Sequence, residues 1–392
     1  MRLFLAASLT LSSITILCGA RTQQGKKVEL PKPHELDSGI VWQRDPATGE
    51  LRVSRKTKPG ETAPEEAAAN PAAIRSTTQM VSVTCSVTTA EGANVPGLKR
   101  EDFRVSDDGV EQKIAYFDAS TQPANVAIVI DASPSVLRDS EDIKDAANAL
   151  IDALAPLDQA AVVDFSEHTY LQLPFTDVRE LMRRAVARVN VQELFSDTGG
   201  SNIYEAVYLA AHELFPGRTG RKTIVLLTDG QDSGLGLTLD PASTMPSPAS
   251  PNRLTFDDVS RLLAAENIQV FAVSTENRPK IMTAAWLASH AGETLLAQDA
   301  RKQGIPAYTL FLAELVRRSG GQLYFLREAQ TLADSFLQIA QRIRAEYTLG
   351  YYPRQDAAEP VRAGWHGLRI AVVDQPGASV SYRAAYYVPA RQ

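Results

Sequence analysis

The stretch NVAIVIDASPSV, residues 125–136, decides how the rest of the chain is read. Five of its first six residues are apolar, the pattern of a strand buried on both faces rather than one. The run then ends in Asp131, Ser133 and Ser135, three oxygen-bearing side chains at alternate positions. Continuous apolar strands belong to parallel sheets covered by helices, and such sheets bind ligands at the carboxyl ends of their strands. The opening stretch therefore predicts both a fold and the edge of that fold where chemistry takes place.

Outward from it, between Asn125 and Ala345, apolar runs alternate with amphipathic ones. DIKDAANALIDALA is followed by AAVVDFS and DVRELMRRAVARV, then by SNIYEAVYLAAHELF and KTIVLLTD. VSRLLAAEN, IQVFAVST, LFLAELVRRSGG, QLYFLRE and TLADSFLQIAQRIRAEY complete the series. Alternating β and α segments with buried strands predict an α/β domain over residues 123–345, a doubly wound, mostly parallel sheet.

The flanks have a different rhythm. VSVTCSV places Val81, Val83, Cys85 and Val87 on one face, and DFRVSDDGVEQKIAYF turns at Asp108-Gly109 as a hairpin. Near the other end, Leu368, Ile370 and Val372 alternate, then Val380, Tyr382, Ala384 and Tyr386 after a turn at Pro376-Gly377. Neither half has strands enough to stand alone. Residues 78–120 and 346–390 are therefore expected to pair into one small β-sandwich, with the α/β domain inserted between them.

Residues 1–20 read as an export signal: Arg2, an apolar run to Leu17, and the small triplet Cys18-Gly19-Ala20 before a cleavage site. The expected destination is the periplasm, the cell surface or the extracellular space, with no membrane span left after cleavage. Cys85 then remains the sole cysteine, so no intrachain disulfide forms. Residues 21–77, rich in Pro, Lys, Glu and Ala, are expected to be a mostly disordered tether, with IVWQRDPATGELRVS as a small hairpin within it. The net charge of −6 argues against nucleic acid as a partner.

Two more segments should reach the edge occupied by Asp131. DTGGSNIYEAV is a Gly-rich loop entering a helix, with Ser201 at its start, and IVLLTDGQD is a buried strand ending in Thr228 and Asp229. Asp131, Ser133, Ser135, Ser201 and Asp229 form the candidate metal set. Hydroxyl oxygens with few carboxylates suit a hard cation, Mg²⁺ first, with Mn²⁺ or Ca²⁺ as alternatives. Zinc would ask for His or Cys, and the histidines show no ligand spacing along the chain. An ion held by so few charges remains able to accept another oxygen from outside, which favours binding over hydrolysis.

Asp131-x-Ser133-x-Ser135, Gly-Gly-Ser201 and Thr228-Asp229-Gly230, on this β/α alternation, resemble the von Willebrand factor type A domain and its metal-ion-dependent adhesion site. The flanks REDFRVSDDGVEQKIAYF and YTLGYYP resemble those of the bacterial related family described from Acidobacteria, so the resemblance runs from about residue 80 to the end. It implies that the two motif serines and Ser201 ligate the ion directly. The aspartates would act directly or through water, and a carboxylate of a protein partner would complete the coordination. Ser201 departs from the family's threonine; it keeps the hydroxyl and loses the methyl that restrains its rotamer.

Plainer readings stand beside these. Ser133 and Ser135 also suit helix capping, Asp229 suits a turn before Gly230, and Thr228 suits a strand end that at most hydrogen-bonds to a ligand. A metal-dependent hydrolase needs a general base that no motif supplies, and GRTGRKT (217–223) has the wrong glycine spacing and position for a phosphate loop. A structural scaffold with a degenerate metal site is the other alternative. Two long insertions, after Asp229 and after IQVFAVST, should overhang the rim and supply selectivity.

Overall fold

Val126, Ile128 and Ile130 enter one apolar core while Ala127 and Val129 enter another, and every residue of the strand Ala124–Asp131 is buried. That is the two-sided burial its continuous apolar run predicts. The computed structural model describes residues 29–46, 49–56, 80–89, 93–119, 122–190, 200–235, 253–283, 286, 296, 303–326, 332–344, 346–353, 362–375 and 377–388. The expected signal segment 1–20 lies outside them, as does most of the two insertions. Among the described residues no helix is long and apolar enough to cross a membrane.

The strands in chain order are β1 (His34–Glu35), β2 (Ile40–Arg44), β3 (Leu51–Arg55), β4 (Val81–Thr88), β5 (Phe103–Asp107), β6 (Val110–Gln112), β7 (Ile114–Asp118) and β8 (Ala124–Asp131). They continue as β9 (Gln159–Phe165), β10 (Thr169–Thr176), β11 (Arg221–Thr228), β12 (Ile268–Ser274), β13 (Leu323–Phe325), β14 (Glu346–Tyr351), β15 (Gly364–Val372), β16 (Ser379–Tyr382) and β17 (Ala385–Val388). The helices used below are α1 (Ser140–Ala153), α2 (Arg179–Arg188), α3 (Ile203–Leu214), α4 (Phe256–Ala265), α5 (Ala307–Ser319) and α6 (Leu332–Arg344).

The central sheet has seven strands in the order β1-β10-β9-β8-β11-β12-β13. β9, β8, β11, β12 and β13 run parallel, while β10 is antiparallel to β9. On one face α3, α4 and α5 pack over Ala127, Val129, Leu226 and Val270; on the other α1, α2 and α6 pack over Val126, Ile128, Val225 and Phe271. The sheet is thus doubly wound and mostly parallel. β10 has no counterpart in the sequence reading. Its TYLQLPFT mixes polar with apolar residues, is interrupted by Pro174 and is only half-buried, so it lacks the apolar continuity that marks its neighbours.

The flanks meet in two four-stranded antiparallel sheets, β16-β4-β14-β7 and β17-β15-β5-β6. They share one core of Val83, Cys85, Val87, Phe103, Val105, Leu349, Tyr351 and Ile370, so each sheet contains strands from both sides of the inserted domain. Asp108 (φ 47°) and Gly109 (φ 83°) both lie in the left-handed region, the requirement of a tight two-residue hairpin turn between β5 and β6.

The N-terminal segment departs from the expectation of a disordered tether over 21–77. Its described part is a docked strap: β1 pairs antiparallel with β10, and β2 and β3 form the expected hairpin. Leu36 is buried, and Ile40, Trp42 and Val53 pack on the α3 side of the core. Arg44 grips Asp258 through both guanidinium nitrogens, at 3.1 and 2.7 Å. Full burial of a side chain such as Leu36 contributes roughly 1.5–3 kcal/mol and partial burial of the others adds less, which is why a polar-rich segment stays in place. The rest of 21–77 lies outside the described residues.

Candidate metal centre

Asp131 closes β8 with its side chain wholly buried. Its Oδ1 accepts the backbone N–H of Ser133 at 2.9 Å and the Ser133 hydroxyl at 2.6 Å, and its Oδ2 accepts the Thr228 hydroxyl at 2.6 Å. The bond two residues onward is an Asx turn, which bends the chain out of the strand. Pro134 then opens a 3-10 helix over Pro134–Asp139. Ser133 occupies the position before that helix, yet its side chain makes no capping hydrogen bond. Capping therefore does not account for the Ser133 hydroxyl.

At the end of the neighbouring strand β11, the Thr228 hydroxyl accepts the N–H of Gly230 at 3.0 Å while donating to Asp131. Gly230 has φ +91°, and a Cβ there would stand 3.3 Å from the Tyr308 ring, so the turn needs glycine. Asp229 accepts the backbone N–H of Gln231 at 2.8 Å and the Gln231 side-chain amide at 3.1 Å. Ser135 Oγ lies 3.0 Å from Ser133 Oγ. Thr228, Asp131, Ser133 and Ser135 are thereby linked in one continuous chain of oxygens.

Ser133 spends its proton on Asp131, so the 3.0 Å contact between the two serine oxygens takes the proton of Ser135. Lone pairs remain on both oxygens for a cation.

Ser201 stands just before α3, and the structure ties its backbone to the loop of Asp229. Its N–H donates to Ser233 Oγ at 3.2 Å and its carbonyl accepts the Ser233 N–H at 2.7 Å. The Ser201 hydroxyl is buried and has no hydrogen-bond partner. Asn202 leaves the start of α3 uncapped by its own side chain; Asp232 instead accepts the N–H of Tyr204 from the adjacent loop at 3.4 Å. Burial pushes Asp232 up to about 6 against the pull of the Leu235 and Tyr204 N–H groups. Three candidate residues, Asp131, Ser133 and Ser135, thus meet through direct hydrogen bonds, and Asp229 stands close enough for its charge to act on Asp131. Ser201 joins them through its backbone, its hydroxyl unspent. Sequence reasoning ranked Thr228 as no more than a neighbour, which matches its role as a brace for Asp131, and it missed Asp232 and Ser233. Their only local signal is the polar run after Thr228, DGQDS.

Burial raises the Asp131 carboxyl, and the charge of Asp229 raises it further, against hydrogen bonds from Ser133 and Thr228. Burial likewise raises Asp229, with Asp139 adding a like charge. The centre is therefore short of positive charge. Its donor set is oxygen throughout, carboxylate and hydroxyl, and its orphaned atom is the Ser201 hydroxyl. Those features fit a small hard divalent cation.

Residues 125–300 match the family model described as von Willebrand factor type A domain. Among solved structures, the chain is similar to an aerotolerance-related membrane protein from Bacteroides fragilis, at 17% identity over 56% of this chain and 98% of that one, with a TM-score of 0.38. It is similar to a von Willebrand factor type A protein from Catenulispora acidiphila, at 15% identity over 80% of this chain and 75% of that one, with a TM-score of 0.36. The vWF domain of the type V pili tip protein Mfa5 from Porphyromonas gingivalis follows at 13% identity, over 57% and 96% of the two chains, with a TM-score of 0.39. No curated protein matches the chain.

Proposed function

We propose, from the match of residues 125–300 to the von Willebrand factor type A domain, that the chain is an exported, non-enzymatic module that binds a protein partner through a divalent cation. Asp131, Ser133, Ser135, Ser201 and Asp229 hold the ion, Mg²⁺ in the first instance and Mn²⁺ or Ca²⁺ as alternatives. The observation that carries this reading is the Ser201 hydroxyl, buried with no hydrogen-bond partner on the loop tied to that of Asp229, in a centre whose carboxylates Asp131 and Asp229 are both raised by burial. When bound, the ion supplies a Lewis-acidic position for a carboxylate of the partner. Thr228 holds Asp131 in its rotamer, and Gln231 does the same for Asp229. Asp232 and Ser233 fix the Ser201 loop against the Asp229 loop. The two insertions beside these strand ends supply selectivity.

Titration calorimetry with Mg²⁺ tests the proposal. Ser133→Ala removes one ligand and is expected to weaken Mg²⁺ binding by about tenfold or more, with the circular dichroism spectrum retained. Capture of partners from envelope extract is expected to be lost in EDTA. A wild-type melting curve that Mg²⁺ leaves unmoved would sink the reading.

A further inference from the structure

A second cluster lies in the sandwich, on a part of the chain that the cation centre does not use. His366 of β15, Asp107 at the end of β5 and Asp108 in the following turn bring one ligand atom each to within 4.8 Å of the other two. Each of the three side chains spends its other polar atom on a bond that fixes its orientation. His366 Nε2 faces the carbonyl of Arg362 at 2.8 Å, so Nε2 carries the proton and Nδ1 is left with the lone pair. Asp107 Oδ2 accepts the hydroxyls of Tyr351 at 3.0 Å and Tyr386 at 2.8 Å. Asp108 Oδ1 accepts the N–H of Gly367 at 2.8 Å.

The remaining atoms converge. His366 Nδ1 stands 2.9 Å from Asp108 Oδ2 and 4.0 Å from Asp107 Oδ1. Asp107 Oδ1 is buried and has no hydrogen-bond partner. An extra proton on Nδ1 would satisfy the contact with Asp108 and still leave Asp107 Oδ1 orphaned. A cation satisfies all three atoms. The exposed Arg362 guanidinium, 3.8 Å from Asp108 Oδ2, is the competing positive charge, and it does not reach Asp107 among the ion pairs of the described residues.

We propose that His366 Nδ1, Asp107 Oδ1 and Asp108 Oδ2 bind a Zn²⁺ ion that clasps the two flanks of the sandwich together. One imidazole and two carboxylates suit Zn²⁺, whose ligands at about 2.0–2.1 Å stand roughly 3.3 Å apart in a tetrahedron. The 2.9 and 4.0 Å separations bracket that value. An imidazole whose far N–H is given to a carbonyl, and carboxylates held by outer hydrogen bonds, are how zinc ligands are commonly oriented. The site was hidden in the sequence because its histidine lies 258 residues from Asp108.

The test uses the full chain in excess Mg²⁺, so that the cation centre of the inserted domain is not read as zinc binding. Titration with Zn²⁺ is expected to show one site that Mg²⁺ does not displace and a melting temperature that rises with Zn²⁺. Co²⁺ in its place is expected to give visible absorption characteristic of a tetrahedral ion. His366→Gln is expected to abolish the absorption and to weaken Zn²⁺ binding roughly tenfold or more. Asp108→Asn, which keeps the turn and the bond to Gly367, serves as the second variant and is expected to do the same if His366→Gln fails to fold. Zn²⁺ binding equal to wild type in Asp108→Asn, or no Zn²⁺ binding by the wild type, overturns the proposal and leaves an imidazolium–carboxylate pair. Either result leaves the Mg²⁺ reading untouched.

Discussion

Ser201 carries a hydroxyl that the fold itself does not use: it is buried and bonds to nothing. Removing it therefore separates stability from binding. Ser201→Ala deletes an unsatisfied polar group and is expected to leave unfolding free energy unchanged or to raise it by about 1 kcal/mol, while Mg²⁺ affinity falls about tenfold. Urea denaturation without divalent ions, paired with calorimetry, checks both halves. Equal loss of both would mean that the hydroxyl supports the fold. At this scale the sequence was readable where a function rests on local spacing. Asp131, Ser133 and Ser135 follow one another at the end of a strand, so their approach is written in neighbouring positions. Asp232 was not readable, because the N–H that it caps belongs to Tyr204 on another element. A carboxylate that caps a remote helix leaves no periodicity behind.

The strap and the strand beneath it show what was legible in whole elements. β8, β11 and β12 declare themselves through unbroken burial, whereas β10 and β1 lie at the sheet margin and mix polar with apolar residues. The strap was read as tether for the same reason, although its few apolar residues are placed to dock. Part of that docking depends on His168, whose Nδ1 is 2.7 Å from Asp37 and 3.9 Å from Glu35. The hydrogen bond to Asp37 raises the imidazole above its ordinary value against some desolvation, with the charges of Asp37, Glu35 and Glu167 adding to it. A histidine raised on folding contributes its full stabilisation below the unfolded value of about 6.5 and loses it as pH climbs past the raised one. The strap is thus expected to loosen on the alkaline side. Because His168 is half exposed the change is small, a few-fold fall in the hydrogen-exchange protection factor of the Leu36 amide, which donates to Thr169. His168→Asn should flatten that dependence, and a wild-type protection factor constant from pH 6 to 9 would refute it.

Across the whole molecule, the alternation of apolar residues in both flanks announced strands but not what holds the sandwich against the inserted domain. Arg383 does part of that. It is buried, donates to the carbonyl of Ala264 at the end of α4, and donates to the carbonyl of Ser82 in β4 at 2.6 Å. One side chain therefore spans the two units, and burial lowers its guanidinium to about 10, a sign of how little water reaches it. Around it, Trp365 donates to Asp257 at 3.1 Å, Asn267 donates to Thr84 at 2.9 Å, and Arg261 lies over the Tyr387 ring at 4.3 Å. These contacts are polar and few beside the two apolar cores, so the coupling between the units is the weak joint of the molecule. Methionine at 383 fills similar space without the two bonds. Arg383→Met is expected to cost the interface about 2 kcal/mol and to resolve one calorimetric transition into two, the sandwich melting first. That order follows from size: the sandwich has the smaller core, and small cores gain less from burial. A single transition of unchanged cooperativity in the variant would show that the sandwich and the inserted domain hold together without Arg383.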